Sequence, residues 1–284
     1  MIRILGTIFA GLLGLAFGSF LNVCLSRWPA GESIVTPRSH CRSCNRTLAW
    51  WENLPLVSWL ALRGRCRTCR AWIGLRYPLV ELAVGALWAI VAWCSYDAFF
   101  PLEFAAGMMF LMWTLVGLAV LDAEHLWLPG AMTLPGIVLG FGWWFLQGKQ
   151  VGWALRMPST PCEDAENAGK RLLGIVAAAG LILLIRWLYW LIRRREGIGL
   201  GDAKLMALLA AWLGLPGALL AFGLGVVLGA LAAAVLLAIP AAQTETGGWA
   251  LKKLPLGTFL CVGGIVSSLW GQPIIAAYLR WAGF

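Results

Sequence analysis

Apolar residues run through this chain in long blocks, and polar residues gather between them; the strict alternation of a half-buried strand is absent. The blocks cover 4–26, 78–96, 104–121, 126–147, 172–192, 203–215, 217–239 and 256–279. Most approach the roughly 20 residues that a helix needs to cross a hydrocarbon core of about 30 Å. The pattern predicts an all-α polytopic membrane protein with about eight transmembrane helices. The first block has no small-residue cleavage site and is too long for a signal-peptide core, so it reads as a retained span.

The sixth block stands apart. At 1.5 Å per residue, 203–215 makes a helix of about 20 Å, too short to cross alone. It follows Gly197-Ile198-Gly199-Leu200-Gly201-Asp202, a stretch whose glycines reach backbone conformations closed to other residues. Irregular backbone at membrane depth is tolerated only where protein or a water-filled cavity lines it. A polar cavity open to the cytoplasm is expected there.

Composition agrees: 61% of residues are hydrophobic, 12% are charged and the mean hydropathy is +0.80. The net charge of +9 would suit a nucleic-acid binder only on a basic face of a soluble fold. Here nine of the 22 Lys and Arg lie between Arg27 and Arg76, three form Arg193-Arg194-Arg195, and Lys252-Lys253 form a pair. Cytoplasmic loops carry such excess, so the bilayer, not nucleic acid, is the expected partner. This places segment 27–77 and the loops after 121, 192 and 239 in the cytoplasm, with both termini outside. Lys149, Arg156, Lys170 and Arg171 then fall outside, in a stretch that also holds Glu163, Asp164 and Glu166. Many of the 18 Trp flank apolar blocks and suit interfacial belts. The expected organisation is a first helix over 1–26, a small cytoplasmic domain over 27–77, and a membrane core over 78–284.

Two C-x-x-C pairs, Cys41/Cys44 and Cys66/Cys69, stand 21 residues apart, the spacing of a four-thiolate zinc site. Disulfides would also join them, but a reducing cytoplasm favours metal. A closed four-sulfur site leaves no position for substrate, so zinc here is expected to be structural, stapling a segment too small for a large core. His40 reads as a neighbour rather than a ligand. Cys24, Cys94, Cys162 and Cys261 are scattered and read as small buried or loop residues.

An ionised carboxylate inside a span is costly, which makes each one a functional candidate. Of 13 acidic residues, Asp122 ends the third block and Asp202 opens the sixth, at the same depth in this topology. Two carboxyls brought close share one proton and can activate water while protonating a departing amine. The residues alone leave other roles open: a helix-end carboxylate paired with arginine, an N-cap, or a transporter's proton relay. Lys204 either tunes the pair or snorkels to the interface. Glu81, just inside the second block, needs a partner such as Arg76 or a basic substrate. His125 reads as interfacial.

Gly199-Leu200-Gly201-Asp202 resembles the G-x-G-D signature of intramembrane aspartyl proteases, and the run 197–204 resembles that of type IV prepilin peptidases. Gly18-Ser19-Phe20-Leu21-Asn22-Val23, Leu54-Pro55-Leu56-Val57-Ser58-Trp59, Leu62-Arg63-Gly64, Arg76-Tyr77-Pro78-Leu79-Val80-Glu81, Leu128-Pro129 and Leu254-Pro255-Leu256-Gly257 extend the resemblance over nearly the whole chain. One departure is Leu128-Pro129-Gly130, where the family commonly has Leu-Pro-Asp.

The resemblance implies a bacterial inner-membrane endopeptidase whose catalytic pair is Asp122 and Asp202, supported by Gly199, Gly201, Lys204 and Glu81, with structural zinc on Cys41, Cys44, Cys66 and Cys69. It implies cleavage of type IV prepilins and secretion pseudopilins after a glycine on the cytoplasmic face. N-methylation of the new terminus by S-adenosylmethionine follows in bacterial members. A proton-coupled transporter would predict paired repeats, a non-enzymatic zinc-bearing scaffold leaves the acids idle, and a presenilin-like protease usually sets its first aspartate after tyrosine, where this chain has Leu121.

Overall fold

The computed structural model of the chain describes residues 1–97, 102–154, 161–195, 199–238 and 254–283. Gly197-Ile198 and Lys252-Lys253, Arg156 and the side chains of Lys149 and Cys162 lie outside the described residues. The helices are α1 (Ile2–Arg27), the short α2 (Val57–Ala61), α3 (Arg76–Asp97), α4 (Leu102–His125), α5 (Gly130–Ala154), α6 (Pro161–Arg193), α7 (Leu200–Ala238) and α8 (Leu256–Ala282). Among the described residues there are isolated β-bridges but no strands, and six helices are long and apolar enough to cross a membrane.

The expected spans fall on these helices, with shifted ends. Leu126 to Pro129 stay outside α5: Leu126 takes a left-handed φ of 50°, and Pro129 disfavours helical backbone at Leu128. α6 begins eleven residues before the expected 172, because Pro161 suits a first helical turn and Glu163 and Asp164 meet its positive end. The sixth and seventh spans are continuous as α7 but broken at Gly214, whose φ of 77° and ψ of 171° leave the helix two residues before Pro216. Counting α7 as two segments and including α5 gives the eight.

The chain folds as two compact units, Met1–Gly117 and Leu118–Phe284. In the first, α1 and α3 touch backbone to backbone: a Cβ on Gly18 would lie 2.7 Å from Glu81 Cα, and one on Gly14 would lie 2.9 Å from Gly85 Cα. Small residues allow such approach in lipid, where van der Waals packing supplies much of the attraction between helices. Phe17 and Trp88 pack beside this seam with ring centres 4.9 Å apart and planes tilted by 35°.

In the second unit α7 packs against α5, α6 and α8. Its first half, between Leu200 and the break, is the buried centre: Leu205, Met206, Leu208, Leu209, Ala210 and Ala211 are inaccessible to solvent. The interrupted end is finished by a side chain from α6. Arg171 donates from Nε to the Ala211 carbonyl (3.3 Å) and from Nη2 to that of Trp212 (2.8 Å), and its guanidinium lies 5.2 Å from the ring of Trp144. The cation thereby satisfies carbonyls that lack helical partners, at the helix end where positive charge is favoured.

Candidate active site and metal centre

The second unit holds both aspartates, each with its carboxyl at the N-terminal end of a helix. Asp122 lies in the last turn of α4 and is 6% exposed. Its Oδ2 accepts from the backbone N–H of Thr258 (2.7 Å) and from the Thr258 hydroxyl (3.2 Å). The Gly257 N–H also bonds to this carboxyl. Pro255, the N-cap of α8, offers no side-chain hydrogen bond, so a carboxylate from α4 caps the helix in its place. Thr258 is fixed in turn by donating its hydroxyl to the Ala119 carbonyl, 3.0 Å away.

Asp202 is 7% exposed and occupies the third position of α7, not the N-cap. Its Oδ2 accepts from the N–H of Gly199 at 3.2 Å, so the acid reaches back over the glycine-rich entry as the third residue of a capping box does. Both carboxyls thus meet the positive end of a helix.

Leu128 ties the two places together. A Cβ on Gly201 would lie 2.9 Å from Leu128 Cβ, and one on Gly257 would lie 2.9 Å from both Leu128 Cδ1 and the Asp122 carboxyl. The bare backbones of both helices therefore close on the same leucine. The two carboxyls are within electrostatic reach of one another. Cys261, one turn beyond Gly257, is fully buried. A pair of buried carboxyls sharing one environment can divide the roles of acid and base on one water.

Among the supporting residues, Gly199 and Gly201 stand in this arrangement. Lys204 is on the exposed side of α7, and its Nζ would lie 3.7 Å from a Cβ on Gly130, the position of the departure from Leu-Pro-Asp. His125 lies 3.9 Å from Glu124. Glu81 belongs to the first unit, where its Oε2 accepts from the N–H of Leu56 at 2.8 Å. Sequence reasoning did not single out Thr258. A threonine three residues after a proline that opens a span was the available signal.

In the first unit, the four cysteines come together on two hairpins that repeat one design 25 residues apart. Cys41 N–H donates to Arg46 (2.9 Å) and Leu48 N–H to Ser39 (2.8 Å); Cys66 N–H donates to Ala71 (2.9 Å) and Ile73 N–H to Gly64 (2.7 Å). The turn of each closes through a left-handed residue, Asn45 (φ 54°) in one and Arg70 (φ 59°) in the other. The N–H groups of Cys69 and Thr68 bond to the Cys66 sulfur and draw its thiol down to about 6.

All four sulfurs lie within 4.8 Å of one another, and Cys41 Sγ is 3.7 Å from Cys69 Sγ. Four thiolates about 2.3 Å from one ion stand about 3.8 Å apart in a tetrahedron, so the set fits a metal of zinc's geometry. Arg46 braces the first hairpin through Glu52 (2.6 Å), holding the Glu52 carboxyl below the usual carboxylate range.

Comparison with known proteins places this architecture. Residues 12–95 match the bacterial peptidase A24 N-terminal domain, and residues 109–234 match the type IV leader peptidase family. The chain is 36% identical to a prepilin leader peptidase/N-methyltransferase of Stutzerimonas stutzeri, over 95% of its own length and 93% of that relative. It is 35% identical to the protein of that name in Pseudomonas aeruginosa, with 96% and 93% covered. The namesake in Dichelobacter nodosus is 33% identical, with 95% and 93% covered. No solved structure gives a significant match. With its membrane-length helices and near full-length relatives, this multi-pass bacterial membrane protein belongs to the type IV leader peptidase family.

Proposed function

We propose that this chain removes the basic leader of type IV prepilins and pseudopilins after a glycine, at the cytoplasmic face of the inner membrane, and then methylates the new N-terminus. The observation that carries the reading is the pair of buried carboxyls, Asp122 and Asp202, each held at a helix start and sharing one electrostatic environment. Asp122, with two donors on one oxygen, is suited to the ionised role, and Asp202 to holding the shared proton.

The ionised carboxylate takes a proton from water as the oxygen attacks the glycine carbonyl carbon, and the other carboxyl gives its proton to the carbonyl oxygen. Collapse of the tetrahedral intermediate breaks the C–N bond and delivers a proton to the departing amine. Gly199 and Gly201 leave room for substrate backbone, and Lys204, without an acid at Gly130, supplies positive charge near the entrance. Zinc on Cys41, Cys44, Cys66 and Cys69 holds the 27–77 segment as a small domain and takes no part in hydrolysis. S-adenosylmethionine supplies the methyl group that the freed amine accepts.

Folded Asp122→Asn and Asp202→Asn variants, purified in detergent and given a prepilin with S-adenosylmethionine, are expected to lose cleavage by about a thousandfold. Product masses read both activities at once. Wild-type cleavage by either variant removes the dyad from the mechanism.

A further inference from the structure

The first unit contains a cavity of about 530 Å³ between the end of α1, the cysteine hairpins and the start of α3. Its size is that of a small-molecule site. Most charged side chains in its wall are engaged elsewhere. Arg27 donates to the carbonyls of Ser33 and Pro37, Arg42 donates to that of Ser26, Arg67 lies over Trp51, and Glu52 is paired with Arg46.

Two buried acceptors are left over. Glu81 is 8% exposed and bonds to the N–H of Leu56 and the hydroxyl of Ser19, and among the described residues no cation pairs with it. Asn22 is 3% exposed; its Nδ2 donates to the Tyr77 carbonyl (2.9 Å), and its Oδ1 accepts nothing from the protein. A buried carboxylate without a counterion and an orphaned amide oxygen are each costly, and both costs fall when a cationic, donor-bearing ligand enters. Trp59 and Trp72, edge to face with ring centres 6.1 Å apart, add an aromatic wall.

We infer that this cavity binds S-adenosylmethionine, with Glu81 and Asn22 holding its α-ammonium and sulfonium groups and Trp59 and Trp72 its adenine. The inference rests on the methyl transfer proposed above and assigns it a place in the first unit. A lysine of the leader peptide is the rival occupant, but the aromatic wall of a cavity this size suits a compact ligand with a flat ring.

The test uses the full-length protein in detergent. Ultraviolet crosslinking of tritium-labelled S-adenosylmethionine to the wild type, followed by peptide mapping, is expected to label peptides from 19–27 or 54–81. Label confined to 118–284 overturns the assignment. Glu81→Gln keeps an acceptor for Leu56 but loses the charge, so its affinity in equilibrium dialysis is expected to fall at least about tenfold, with zinc content unchanged. Unaltered affinity in this variant overturns the proposal, as does displacement of the label from the cavity by a basic leader peptide. A wild type that methylates prepilin but crosslinks elsewhere refutes this site alone, whereas one that cleaves without binding or methylating refutes the methyl-transfer reading with it.

Discussion

The cysteine hairpins and the aspartate pair are built by opposite means. Each hairpin is made from neighbours: bonds between residues less than ten apart form it, a second copy repeats it 25 residues on, and four sulfurs close the two copies around one point. The aspartate site is made from strangers. Asp122 and Asp202 are eighty positions apart, and Thr258 is 136 from the carboxyl it contacts. Little in either stretch dictates the other, and packed helices with bare glycine backbones bring them together. A local design survives changes in distant packing and fails when its four sulfurs are parted, whereas a convergent design tolerates surface change and fails when one helix is pushed aside.

The strongest way to break this contrast is Cys66→Ser. It is expected to lose the metal and the order of the hairpins, because structural zinc contributes on the order of 10 kcal/mol to such folds. Bound metal and proteolysis between residues 38 and 74 report it, and helix content should persist. Next comes Gly257→Val, whose Cβ would fall 2.9 Å from the Asp122 carboxyl. Prepilin cleavage should drop about a hundredfold with zinc content intact, since displacement of about 1 Å can cost that much. A Gly257→Val enzyme of normal activity would mean that the close packing there is not needed for catalysis. The smallest effect is expected from Arg171→Met. Losing two carbonyl bonds at the break in α7 should cost about 2 kcal/mol, read as a lower melting temperature in detergent without a change in metal content.

This contrast also explains what was legible beforehand. The helices could be read because lipid demands long apolar blocks, and the cysteine set because ligand spacing is local. The aspartates stood out because acids are scarce within spans. Thr258 did not, because a threonine at a helix start is ordinary until a carboxylate from another helix meets it. Helix ends shifted where polar residues extended α6 and where Pro129 delayed α5. The Glu81 environment was only half readable: a buried acid was visible in the sequence, but its bond to Leu56 depends on a turn 25 residues earlier.

One arginine alters how charge along the chain is counted. Arg171 was grouped with Lys149, Arg156 and Lys170 as an excess on the side where the topology wants none, yet it is committed within its own unit to the end of a broken helix. Set it aside, and three bases remain in that group, Lys149, Arg156 and Lys170, the last already bonded to Glu166. Orientation follows the number of Lys and Arg rather than the net charge, so three bases pull toward the cytoplasm less than four, and the exception narrows by the one residue that has work inside the fold.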